Sequence, residues 1–131
     1  MAAARPIRQG DVYWLDCPPL HGDTAKVRPV IVISSKGMLQ RAEHVLVVAC
    51  TSSVLPSDTE AIELPNTGRT PNARSGLSRR TWAIPSWWMP ARRERLTTYA
   101  GFIRGDVLRH VVAAAAKHIA GTADEGDIGR T

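Results

Sequence analysis

Arg28 and Thr51 are the two residues of this chain whose types and placement point most directly to chemistry. Arg28 opens the run RPVIVISS (residues 28–35), and Thr51 closes the run HVLVVACT (residues 44–51), with Ser52 and Ser53 directly after it. Both runs are rich in β-branched residues and read as strands buried on both faces. A guanidinium stays charged and holds two oxygens at once, so Arg28 beside a hydroxyl cluster at the end of a neighbouring strand can grip a phosphate. Each residue also has a plain structural reading. Arg28 can pair with a carboxylate at the start of its strand, and Thr51 can tie a turn with Ser52 and Ser53.

Groups able to move a proton are scarce. His21 and Asp23 lie in the loop leading to Arg28, and a histidine there suits proton transfer near neutral pH. Both can equally be solvated loop residues. His44, His110 and His118 read as structural or solvent-facing. Cys17 and Cys50 are the only cysteines; with no CxxC and no metal-type spacing they read as two reduced thiols. No metal site and no cofactor is expected. The formal charge of +5, from 17 Lys and Arg against 12 Asp and Glu, is compatible with a polyanionic partner but does not require one. Lys26, Ser52, Ser53, Arg69, Arg74, Arg79 and Arg80 are candidate contacts to such a partner, and Arg92, Arg93 and Arg95 form a second basic group. Trp82, Trp87 and Trp88 can stack on bases or fill a core or an interface.

The elements that must position these residues follow from pattern and punctuation. Residues 11–16 read as a strand starting sharply after Gly10, and residues 17–27 as a loop containing Pro18, Pro19 and Gly22. Residues 36–43 suit a turn or one helical turn, and residues 59–64 a weak edge strand. Residues 65–76 (PNTGRTPNARSG) are dense in turn formers and form a loop. Residues 77–89 give one or two strands, and Pro85 within them marks an edge or a bulge. Residues 90–95 read as a basic turn and 96–103 as a final strand. From Gly105 and Asp106, Val107, Leu108, Val111, Val112, Ala115 and Ile119 recur at helical spacing, with Gly121 as the stop. The chain reads as one domain over residues 1–131, with residues 1–6 and 122–131 as loose tails. No stretch approaches the length of a membrane span, and the N-terminus has no apolar signal region, so a cytoplasmic location with no membrane contact is expected.

Taken in order, Gly10-Asp11-Val12-Tyr13-Trp14, Arg28-Pro29-Val30, Thr51-Ser52, Ser75-Gly76-Leu77, Arg95-Leu96 and Gly101-Phe102-Ile103 resemble the MazF/PemK family of toxin endoribonucleases from type II toxin–antitoxin pairs. The resemblance covers roughly residues 7–119. It implies a mostly β fold with a C-terminal helix, the SH3-like barrel shared by MazF and CcdB-type toxins. It also implies a homodimer that cuts single-stranded RNA without metal to 2′,3′-cyclic phosphate and 5′-OH ends, with Arg28 and Thr51 catalytic. The partner it implies is an acidic MazE-like antitoxin. Two departures stand out. The loop before Arg28 is one residue shorter than in family members that carry a Glu-Gln pair there. Ser86 falls where some members have an aspartate proposed as the catalytic base. Two other functions therefore remain open: a catalytically weak RNA-binding module, and a CcdB-like inhibitor that binds gyrase. RNA cleavage set against gyrase inhibition separates the nuclease from the inhibitor, and RNA binding with no turnover marks the weak module.

Overall fold

The computed structural model describes residues 5–20, 24–53 and 60–130, with side chains as far as Thr122. Six strands make one sheet: β1 (Asp11–Cys17), β2 (Lys26–Val32), β3 (His44–Thr51), β4 (Ile62–Glu63), β5 (Trp82–Arg92) and β6 (Thr98–Phe102). Their order is β4-β5-β3-β2-β1-β6, and every pairing is antiparallel. The sheet curls into a half-barrel. Helix α1 (Lys36–Leu39) is a single turn capped by Ser35, and helix α2 (Gly105–Arg130) is the one long helix among the described residues.

The two near-continuous apolar runs become the central strands β2 and β3, as a strand covered on both faces should. Strand alternation then divides the core. Val12, Ile31, Val48 and Cys50 face α2, which covers them with Val107, Leu108, Val111, Ala115 and Ile119. Tyr13, Leu15, Val30, Val32, Val47 and Ala49 face the other way, into a second cluster closed by Leu39, Ala91 and Leu96. Apolar burial on both faces is the main stabilising term for a domain of this size. No helix among the described residues is long and apolar enough to cross a membrane.

Several boundaries differ from the sequence reading. β2 starts two residues before Arg28, at Lys26, because Cys17 of β1 pairs with it. The edge strand expected at residues 59–64 reduces to the two residues of β4. Of the two places expected for Pro85, an edge or a bulge, it takes the bulge that shifts the β3–β5 register between Val48 and Cys50, where a missing N–H costs no ladder bond. β5 runs on through the expected basic turn to Arg92, leaving only a 3-10 turn at Arg93–Arg95. Helix α2 does not stop at Gly121 but continues to Arg130. A glycine lowers helix propensity without forbidding the backbone, and no proline follows to end it.

Loop 64–81 is held to the sheet by close backbone packing. The Phe102 amide donates to the Arg74 carbonyl at 2.8 Å, and the Ser75 hydroxyl donates to the Pro65 carbonyl at 2.6 Å. Gly76 adopts φ +78°, and a Cβ there would run into the Ala100 carbonyl. The Ser75-Gly76-Leu77 and Gly101-Phe102-Ile103 segments are thus the two sides of one crossing, which needs glycine on both.

Candidate functional site

Leu15 pairs with Arg28 across β1 and β2, and Thr51 pairs with Trp82 across β3 and β5. The β2–β3 register runs Val30 to Ala49, Ile31 to Val48 and Val32 to Val47. Extended two residues to the strand ends, it sets Arg28 opposite Thr51. One transverse row across the sheet therefore reads Leu15, Arg28, Thr51, Trp82. The strand pattern brings together the two residues singled out from the sequence.

Arg28 is 1 % exposed, an unusual state for an arginine. Its Nη2 donates to the Thr24 carbonyl at 3.5 Å, and its guanidinium carbon lies 4.9 Å from the centroid of the Trp87 ring. Trp87 belongs to the cluster on the face away from α2, so the guanidinium points to that face. The stack on an aromatic face fixes the plane of the guanidinium fork. Thr51 is also buried. Its hydroxyl donates to the Ser53 carbonyl at 3.2 Å and accepts from the Ser53 amide at 3.1 Å, a closed hydroxyl turn.

Arg28 and Thr51 line a cleft of about 340 Å³ together with Trp14, Lys26, Ser52 and Arg79. Three of the expected contact residues, Lys26, Ser52 and Arg79, are thereby gathered at the strand ends. Others are not. Arg69 and Arg80 both pair with Glu63, at 3.2 Å and 2.7 Å, and Arg80 also lies over Trp82. The two arginines hold the Glu63 carboxyl below its usual range. Arg74 is exposed in the loop, and Ser53 serves the Thr51 turn. Arg93 pins α1 by donating to the Leu39 and Ala42 carbonyls. His21 and Asp23 lie outside the described residues. Ser86 sits half-buried beside the β5 bulge, and as a hydroxyl it has no carboxylate's basicity.

Burial pushes the Cys50 thiol far up and the Cys17 thiol up, in both cases against the opposing pull of Arg28. Neither is a thiolate nucleophile at neutral pH. Among the described residues no group of three or more His, Cys, Asp or Glu is placed to hold a metal ion. A larger cavity of about 840 Å³ lies elsewhere, between Tyr13, Leu39, Leu96 and Tyr99; Arg92 and Arg93 of the second basic group line it, but neither Arg28 nor Thr51 does.

Sequence reasoning passed over Trp14. In the structure Trp14 and Asp16 are the exposed positions of β1, alternating with buried Tyr13, Leu15 and Cys17; the polar Asp16 two residues on is the one hint of this in the sequence. Trp87 was read as a stacking or core residue without its link to Arg28.

The fold is a half-barrel sheet with a C-terminal helix, with Arg28 and Thr51 side by side on neighbouring strands. Residues 8–119 match the family described as PemK-like, MazF-like toxin of type II toxin–antitoxin system, and the chain belongs to that family. No curated protein sequence matches it. Among solved structures it is similar to an endoribonuclease in complex with its cognate antitoxin from a mycobacterial species. That comparison gives 13 % identity, a TM-score of 0.65, and cover of 87 % of this chain and 95 % of that one. It is likewise similar to MazF in a MazE–MazF crystal from Deinococcus radiodurans, at 19 % identity and TM-score 0.64, with 88 % and 97 % covered. The Mycobacterium tuberculosis toxin MazF-mt6 gives 14 % identity and TM-score 0.60, with 84 % and 96 % covered. At these identities the likeness is one of fold.

Proposed function

We propose that this toxin is a metal-independent endoribonuclease specific for single-stranded RNA, with the scissile phosphate held between Arg28 and Thr51. The observation that carries this reading is a buried arginine set by strand register opposite a strand-end threonine, in a chain of the MazF/PemK family. RNA supplies its own nucleophile. The 2′-hydroxyl loses its proton and its oxygen bonds to phosphorus; the bond to the 5′ oxygen of the next nucleotide breaks, and that oxygen takes up a proton. The products are a 2′,3′-cyclic phosphate and a 5′-OH, with no change of oxidation state.

Arg28 stabilises the charge that builds on the phosphoryl oxygens, and its stack on Trp87 pre-orients the fork. Thr51 exchanges its bond to the Ser53 carbonyl for one to a phosphoryl oxygen. With Ser86 in place of a carboxylate, His21 or Asp23 is the proton acceptor. The toxin works as a homodimer and is neutralised by an acidic antitoxin that covers the same positive site.

Single-turnover cleavage of an unstructured RNA tests the two roles. Arg28→Lys keeps the charge but loses the fork, and its rate falls by about 100-fold or more. Thr51→Val loses most of the activity while Thr51→Ser stays within about tenfold of wild type. Thermal melts confirm that each variant is folded. A wild-type rate in Thr51→Val would return that hydroxyl to its turn alone. Retained binding with no cutting by wild type would favour the weak RNA-binding module.

A further inference from the structure

The cleft at the strand ends has two walls that face opposite ways, and only one of them belongs to the phosphate grip. The Arg28 guanidinium turns toward Trp87, on the face away from α2. Trp14 lies on the other pleat, the one that carries Val12 under α2, paired with Pro29 of β2 and Thr98 of β6. Beyond the reach of the helix its indole is left 39 % exposed. Val27, paired with Asp16 on the same pleat, is 56 % exposed. Trp14 and Val27 are two of the three large hydrophobic residues exposed among the described residues, and both line this cleft.

The charge of the lining selects an occupant. Lys26, Arg28 and Arg79 line the cleft, and among the described residues no carboxylate does; Asp16 lies outside it. The larger cavity, by contrast, sets Glu43 and Glu94 among its four arginines, so its positive charge is partly offset. Ser52 and Ser78 add hydroxyls to the same lining. A volume of about 340 Å³ is at the small end of ligand sites, which run roughly 300–1,000 Å³. An exposed aromatic face between cations, with hydroxyls in the same lining, is the chemistry that receives an unpaired base and its phosphates.

We propose that Trp14 is the stacking platform for the unpaired RNA base that flanks the phosphate held at Arg28 and Thr51. The chain of RNA rounds the ends of β2 and β3, leaving its phosphate on one face of the sheet and the adjoining base on the other. Lys26 and Arg79 hold the phosphates of that flanking nucleotide. This subsite rests on the nuclease reading for its substrate, but its test does not depend on cutting.

The test uses a fully 2′-O-methylated single-stranded oligonucleotide, which binds without being cleaved, and reads tryptophan fluorescence and affinity at fixed salt. Wild type is quenched on binding. Trp14→Ala loses most of the quench and binds roughly tenfold more weakly, while Trp14→Phe keeps most of the affinity but not the signal. The slope of log K against log salt is unchanged in Trp14→Ala, because stacking releases no counterions; Lys26→Ala and Arg79→Ala each reduce it by about 0.7. Placing one abasic nucleotide at successive positions identifies a single position at which wild type and Trp14→Ala become equal. Equal affinity of wild type, Trp14→Ala and Trp14→Phe, with no position sensitive to base removal, overturns the proposal. So does an unchanged affinity combined with a changed mass of Trp14→Ala in light scattering, which assigns the surface to a second copy of this chain. Position-dependent quenching of an uncut oligonucleotide, alongside failure to cleave ordinary RNA, upholds the subsite and removes the nuclease.

Discussion

Arg28 shows why a residue's chemistry and its burial must be read together. A guanidinium removed from water is costly unless its surroundings compensate. Here the Thr24 carbonyl and the Trp87 face provide part of that compensation, and both also fix the direction of the fork. Asp11, also buried, shows the opposite case. Its carboxylate accepts the Arg8 amide at 2.9 Å, and Arg5, Arg8 and Arg104 favour its charge, yet burial dominates and raises its pKa above the ordinary 3.8. A carboxyl with a raised folded value contributes most to stability below its unfolded pKa, and that contribution is lost as pH rises through the folded value. Asp11→Asn keeps an acceptor oxygen for Arg8 and removes the ionisation. Urea unfolding from about pH 4 to pH 7 is therefore expected to show the Asn variant gaining on wild type as pH rises. A gap that closes with rising pH would contradict this.

At the scale of elements, the sequence was most legible where periodicity was long and unbroken. β3 falls at the expected residues, and the apolar face of α2 contains every residue expected on it. Pattern was least informative where a contact between distant segments decides the structure. Pro85 marks an edge or a bulge from sequence, and only the pairing of β5 with β3 decides for the bulge; the course of α2 beyond Gly121 has no local marker. The crossing of loop 64–81 over β6 is of the same kind: Gly76 reads as an ordinary loop glycine until Ala100 is seen against it. Gly76→Ala combines a φ of +78° with a backbone clash, and is expected to destabilise the protein by about 2 kcal/mol or more in urea titration. A loss below about 0.5 kcal/mol would show that the loop moves away at little cost.

For the whole molecule, the sheet order converts separated motifs into one site. Arg28 and Thr51 were legible because one lies near the start of its apolar run and the other ends the next, and antiparallel pairing of consecutive strands brings such positions together. The basic residues were not legible in the same way, since a count of arginines carries no information about their partners. Arg69 and Arg80 are taken up by Glu63, whereas Arg79 between them in the chain reaches the cleft. Trp14 was hidden by its place inside a motif that otherwise reads as core. The central claim, that this toxin cuts RNA without metal at the phosphate grip, is tested most directly by one measurement. A long unstructured RNA is incubated with the toxin in EDTA, and the new ends are labelled with a kinase without prior phosphatase treatment. Discrete fragments that accept label, and so carry 5′-OH, are the predicted result. RNA that stays intact while bound to the toxin would contradict it.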